Sequence, residues 1–285
     1  MSVLRRRMEE ELRLRGMSER TVETYLGAVR RFAFHYGQSP DRLGSEEVRA
    51  YLLHLIEERK LAASSVNQAL SALRFFYLDV LGCELAVARL PRPKRQDRLP
   101  VVLTEAEVAR LLAAPMSLKH RAVLMTLYSA ALRLGEAIHL QPGDIDSAAM
   151  VIRVRQGKGG RDRTVMLAGK LLLVLRVYWK LYRPGRWLFY GKEKERPLDA
   201  RTVQKAMARA TKAAGLRKQV TPHTLRHSSA THLMEQGASL RHIQELLGHK
   251  SLRTTQRYTR VSPGRVAAVL SPLDRLPLEH LTADG

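Results

Sequence analysis

Several stretches of this chain carry residue types that can act on a phosphate. The most informative is Thr221-Pro222-His223-Thr224-Leu225-Arg226-His227. Threonine is a good N-cap and proline fits the first helical position, so a helix is predicted to start here. His223 and Arg226, three apart, then share a face near the positive end of that helix. A phosphate there would meet backbone amides, an imidazole and a guanidinium fork. Taken alone, a His-x-x-Arg at a helix start is ordinarily a surface pair. Upstream, Ala130-Ala131-Leu132-Arg133-Leu134-Gly135-Glu136 places Arg133 where a helix meets a turn, with Glu136 spaced to fix its guanidinium. As a bare i, i+3 ion pair this is worth about 0.2–0.5 kcal/mol. Lys158 lies between Gly157 and Gly159 at a hairpin tip, where glycine permits close approach to another backbone or simply makes an exposed turn. Downstream, Ser239 is placed to cap a helix carrying Leu240, Ile243, Leu246 and Leu247, ended by Gly248, which leaves His249 exposed on a turn. Ser251 then caps a short helix leading to Tyr258, a residue type whose ordinary use is to pack its ring.

The elements that must hold these residues can be read from periodicity. Leu4, Met8 and Leu12 make a short stripe stopped by Gly16. Val22, Tyr25, Leu26, Val29, Phe32, Ala33 and Tyr36 follow the i, i+3, i+4, i+7 spacing of one buried helical face. Val48, Tyr51, Leu52, Leu55 and Ile56 repeat it behind Ser45 as N-cap. Val66, Leu70, Leu73, Phe76, Tyr77 and Val80 do so behind Ser64 or Ser65, with Gly82 as stop. The polar faces carry Arg20, Arg30, Arg31, Arg49 and Arg74, individually ordinary for a solvated surface. A basic stretch broken by Pro91, Pro93 and Pro100 then forbids a continuous helix and favours an extended strap. Thr104 and Glu107 form a capping box, and helix continues to about Leu132. Val151–Val154 and Thr164–Leu167 read as the arms of a β-hairpin. Helices are expected over roughly 168–181 and 200–214, with a short strand at Trp187-Leu188-Phe189 between them.

Charge narrows the function classes. With 49 Lys+Arg against 27 Asp+Glu, the 285-residue chain carries a formal +22, which points to a polyanionic partner, nucleic acid first. An anionic membrane surface would need a basic amphipathic helix or lipid site, and neither is found. The single cysteine, Cys83, excludes an internal disulfide framework and a multi-cysteine zinc site. No apolar run reaches the roughly 18 residues of a membrane span, and no signal-peptide core follows Met1. A cytoplasmic, nucleoid-associated protein is expected.

Taken in order, Arg133, Lys158 in a hairpin, His223-x-x-Arg226, Leu247-Gly248-His249 and Tyr258 nine residues on resemble the tyrosine recombinases, the phage integrases and Xer-type enzymes. The resemblance extends to Ser65-Val66-Asn67 through Ser71-Ala72-Leu73-Arg74-Phe75-Phe76-Tyr77. It implies a mainly α fold: a helical, SAM-like core-binding domain over residues 1–85, a basic Pro-rich linker over 86–103 and an α-rich catalytic domain with a small antiparallel sheet over 104–264. A tail over 265–285 would be available for subunit contact. Matched position by position, the catalytic residues would be Arg133, Lys158, His223, Arg226, His249 and the nucleophile Tyr258, with Glu136 in support. Ala131 stands where many members have glycine. The closing Ser271-Pro272-Leu273-Asp274-Arg275-Leu276-Pro277 is similar to the tail of integron integrases, but the segment those enzymes insert between the hairpin and the His-x-x-Arg helix is missing.

The implied reaction is strand exchange on double-stranded DNA by a homo-tetramer on two sites, with room for an accessory DNA-bending protein. Neither metal nor cofactor is implied: no carboxylate cluster at metal-ligand spacing, P-loop or zinc signature is present. A type IB topoisomerase uses similar chemistry, but the core-binding-like N-terminal half speaks against it. A non-catalytic DNA-binding protein would keep the charge and leave the six residues together unexplained. An RNA-binding protein is disfavoured by the lack of a stacking motif. If Tyr258 were not the nucleophile, Tyr178, Tyr182 and Tyr190 would be the other candidates.

Overall fold

The computed structural model describes residues 3–83, 89–94, 101–155, 162–248 and 271–276. The chain divides into two compact units, Met1–Arg98 and Leu99–Gly285.

The described part of the first unit is helical: α1 (Val3–Leu14), α2 (Glu19–Tyr36), α3 (Ser45–Glu57) and α4 (Ala63–Arg74). Ser18 Oγ accepts from the Thr21 amide at 3.3 Å to open α2, and Gly37 closes it in the left-handed region at φ 63°. The periodic residues Met8, Leu12, Val22, Phe32, Val48 and Leu70 are buried in one core. Two expected starts move. Gly44 rather than Ser45 is the N-cap of α3, with the Glu47 carboxylate accepting from its amide at 2.7 Å. Helix α4 begins at Ala63, ahead of both serines, and no side chain caps it. The helix expected to run straight to Val80 instead widens into a π-helical segment over Phe75–Val80. Phe75, Phe76 and Tyr77 are all buried there, so Phe75, which the periodic stripe leaves out, joins the core too. The Tyr77 hydroxyl is shared between the carbonyls of Pro40 and Leu43, at 2.7 and 2.9 Å.

The second unit is built around α6 (Leu118–Ser129), whose residues Ala122 to Ser129 are all buried. A helix apolar on every side belongs at the centre, and α8 (Gly169–Tyr182) and α10 (Pro222–Glu235) pack on it. Thr104 and Glu107 form the expected capping box of α5 (Glu105–Ala113), at 3.2 and 2.8 Å. The short α7 (Leu134–Ile138) leads to a three-stranded antiparallel sheet, β1 (Ile145–Asp146), β2 (Val151–Val154) and β3 (Arg163–Met166), in that order. The hairpin arms pair in register, Ile152 opposite Val165 and Val154 opposite Arg163. β1 has two residues, too few to carry a period in sequence. The strand expected at 187–189 does not form: the region holds an isolated bridge between Tyr190 and Pro197. There the Leu188 amide donates to Leu140 O at 2.7 Å, so its backbone pairs with the exit of α7 instead. Asp199 caps α9 (Ala200–Ala213), and Ser239 caps α11 (Leu240–Leu247), which Gly248 ends.

Two features hold α10 in place, one against α6 and one against the segment before α5. His232 is buried, with Nε2 2.9 Å from Leu103 O and Nδ1 2.8 Å from the Tyr128 hydroxyl. A carbonyl only accepts, so the proton sits on Nε2 and Nδ1 accepts from tyrosine. The Leu103 amide in turn donates to Ser228 Oγ at 2.9 Å. Residues 271–276 close the core: Leu273 and Leu276 are fully buried, Ser271 Oγ donates to Ser129 O, and Asp274 accepts from the Lys170 amide at 3.0 Å.

Candidate active site

The loop after α6 positions the first candidate. Ala131 adopts φ 47°, a left-handed conformation that costs an alanine roughly 1–2 kcal/mol. The turn exposes its carbonyl to Arg226 Nη1 at 2.6 Å and sets Arg133 as the N-cap of α7. The glycine that family resemblance suggested at this position therefore has a physical reason. Glu136 lies one turn into α7. Its carboxylate accepts from the Arg133 amide at 2.9 Å and pairs with Arg133 Nη1 at 2.7 Å.

The same carboxylate gathers two further arginines. Arg163, the first residue of β3, meets it with a two-pronged fork at 2.7 and 3.0 Å, and Arg226 Nη1 stands 3.8 Å away. The side chains of Arg226, Glu136 and Arg163 are only 5%, 9% and 12% exposed. Burial alone would raise the Glu136 carboxyl, but the hydrogen bonds from Arg163 and the Arg133 amide outweigh it and hold the group at about 2. Burial, with the neighbouring charge of Arg133, pulls Arg226 down to about 10, so it remains a cation at neutral pH.

The C-terminus of α11 closes over this cluster. A helix leaves its last carbonyls unpaired and carries partial negative charge there. Arg163 Nε donates to Leu246 O at 2.9 Å, Arg226 Nη2 to Leu247 O, and Arg133 Nη2 to Gly248 O at 3.4 Å. Three successive carbonyls thus meet three different arginines immediately before His249. Gly248 is favoured by its φ of 57°, and a Cβ there would come into contact with the Arg163 side chain, 3.4 Å from Cδ.

The geometry brings Arg133, Glu136 and Arg226 together. His223 is exposed on the first turn of α10, three residues before Arg226. Burial, His223 and Arg226 together lower the adjacent His227 below its ordinary value. Lys158, His249 and Tyr258 lie outside the described residues. Of the other tyrosines, Tyr178 is fully buried with its hydroxyl donating to Leu188 O, and the Tyr190 hydroxyl donates to Tyr182 O. Arg163 was missed from sequence, and β3 carries no signal for it: Arg163 shares a face with the buried Val165, but Met166 on the other face is buried as well. Among the described residues no group of three or more His, Cys, Asp or Glu is placed to hold a metal, and no helix is long and apolar enough to cross a membrane.

The first unit carries a separate basic cleft of 1120 Å³, lined among others by Arg30, Arg31, Arg59 and Gln68. The His35 and His54 rings meet within it at a 36° tilt, 4.4 Å between centroids, beside Tyr51. Cations interleaved with aromatic rings suit a phosphate backbone.

Comparison with known proteins decides the family. Residues 101–265 match the model of the phage integrase family, and residues 4–86 match that of the phage integrase N-terminal SAM-like domain. This chain belongs to the phage integrase family. The integrase is 47% identical over 278 residues to a putative integrase/recombinase of Sinorhizobium fredii, covering 97% of this chain and 90% of that protein. It is 36% identical to the tyrosine recombinase XerA of Pyrococcus horikoshii, over 88% of this chain and 86% of the relative. Its fold matches the crystal structure of a lambda integrase tetramer bound to a Holliday junction, with a TM-score of 0.69 and 23% identity, covering 91% of this chain and 79% of the other. By its family match and its relatives, the chain is a tyrosine recombinase, an enzyme of site-specific DNA recombination.

Proposed function

We propose that this integrase cuts and rejoins duplex DNA through a 3′-phosphotyrosine on Tyr258, as a tetramer on two sites. The observation that carries the reading is the convergence of Arg133 and Arg226 on one carboxylate, within a catalytic-domain match. A phosphodiester resists attack because it is anionic and its leaving alkoxide is poor. Two arginines answer the first difficulty by presenting fixed, permanently charged donors to the non-bridging oxygens as charge builds. Glu136, anionic over the working pH range, keeps Arg133 in place.

Tyr258 attacks phosphorus and forms the O–P bond as the bond to the 5′ oxygen breaks. His223 takes the phenolic proton, Lys158 gives one to the departing 5′ oxygen, and His249 hydrogen-bonds the phosphate. A 5′-hydroxyl from the partner strand then reverses the steps. The bond energy stays in the phosphotyrosine, so neither ATP nor a metal is called for. The net +22 and the arginine-lined cleft of the first unit support duplex DNA as the substrate. The named neighbour, a tetramer on a Holliday junction, supports the stoichiometry. Residues 1–85, 86–103, 104–264 and 265–285 are proposed as DNA-clamping domain, strap, catalytic domain and tail.

The test uses a nicked duplex enriched by the protein itself from a random pool. Wild type should give a denaturant-resistant adduct whose labelled peptide contains Tyr258. Tyr258→Phe removes one oxygen and should bind the duplex normally without forming the adduct. Attachment through another tyrosine would overturn the assignment of the nucleophile, and no adduct from wild type would overturn the reaction.

A further inference from the structure

Arg163 sits where three parts of the site meet. It begins the strand that follows the segment containing Lys158, its fork grips Glu136 at 2.7 and 3.0 Å, and its Nε reaches Leu246 O at 2.9 Å. Glu136 is the residue that holds Arg133, and Leu246 lies three residues before His249. From this juxtaposition we propose that Arg163 is a positioning residue for strand cleavage, setting Arg133 through Glu136 and the end of α11 through Leu246. The inference rests on the reading of the site given above and adds a residue to it.

The chemistry favours this use over a plain structural ion pair. A structural pair needs one contact, and a lysine would serve. Here the planar guanidinium spends three N–H directions on two elements at once, which a point charge on a flexible stem cannot reproduce. The side chain is 12% exposed, so these bonds are made in a medium where misaligned donors are costly. Its closeness to the backbone is fixed as well: Gly248 leaves only van der Waals room beside the Arg163 side chain. Arg133 also touches the α11 end, at Gly248 O, so a displaced Arg163 shifts both supports of Arg133 together.

A positioning role predicts a split between binding and chemistry. Arg163→Met should bind the enriched nicked duplex within about twofold of wild type, because the basic cleft of the first unit and most of the net charge remain. Its single-turnover adduct formation at saturating DNA should fall by about 10²-fold, the scale of a misplacement near 1 Å. Carbon-13 titration of Glu136 should show its carboxyl moving up from about 2 in the same variant. Arg163→Lys, which keeps the charge and the bulk, should remain slow, and it replaces Arg163→Met if that variant fails to fold. Wild-type cleavage by Arg163→Lys, or loss of binding in parallel with loss of cleavage, would overturn the proposal. Failure of wild type itself to form the adduct would overturn the underlying reaction instead, so the two failures are told apart by the control.

Discussion

Neutralising Glu136 offers the most quantitative test of the arginine cluster. The carboxyl is held at about 2 in the folded protein against 4.5 when unperturbed. At about 1.36 kcal/mol per pKa unit, that difference makes the ionised group worth about 3 kcal/mol to the fold. The sign follows from a depressed folded pKa: the contribution is fully present above about 4.5 and disappears as pH falls through about 2. Glu136→Gln keeps the shape, but turns an amide towards Arg163 and leaves Arg133, Arg163 and Arg226 facing one another without an anion. The variant should therefore be less stable by about 3 kcal/mol at pH 7, and the gap to wild type should close between pH 4.5 and 2. Urea unfolding followed by tryptophan emission reads this directly, because both tryptophans, Trp179 and Trp187, belong to the second unit. Other carboxylates titrate in both proteins and cancel in the difference. A gap that stays constant down to pH 2, or no gap at pH 7, would refute the account of Glu136 as the buried counter-ion of the site.

Three further outcomes are expected. Ala131→Val puts a β-branched residue at φ 47° and should destabilise the second unit by about 2 kcal/mol or more in the same unfolding assay, with adduct formation slowed because the Ala131 carbonyl anchors Arg226. Tyr128→Phe leaves Nδ1 of buried His232 without its donor and should cost about 1–3 kcal/mol in urea unfolding. Replacing Arg30, Arg31 and Arg59 together by alanine should flatten the dependence of log affinity on log salt by about 0.9 for each phosphate no longer neutralised, measured by fluorescence anisotropy on duplex DNA; an unchanged slope would remove the cleft from the DNA surface.

The sequence was legible where physics is local. Apolar periodicity located the helices, and Thr221-Pro222, Thr104 with Glu107, and Gly248 marked ends through hydrogen bonds made within a turn. It was illegible where the deciding partner is distant in the chain. Nothing local distinguishes Arg163, since Glu136 is 27 residues away and Leu246 is 83. Nothing near His232 in sequence announces that Tyr128 and Leu103 will satisfy both ring nitrogens. The π-helical turn shows a different limit. Phe75, Phe76 and Tyr77 are all buried, whereas the single-stripe reading places only Phe76 and Tyr77 on the core face. For the Arg133–Glu136 pair, spacing supplied the contact, whereas its burial and its two extra arginines came only from tertiary packing.

The burial of Leu273 and Leu276 bears on how far the proposed nucleophile can travel. Tyr258 lies ten residues after Gly248, which α11 anchors, and thirteen before Ser271, whose hydroxyl is bonded to Ser129 O. Whatever path the chain takes between, it is tethered at both ends. At roughly 3.3–3.6 Å per residue, the first tether limits Tyr258 to a sphere of about 35 Å around the arginine cluster. Confinement of that kind is a local concentration, maintained without any contact to the tyrosine itself. Removing residues 271–276 would open the core and also cut one of the two tethers, diluting the proposed nucleophile around the arginine cluster.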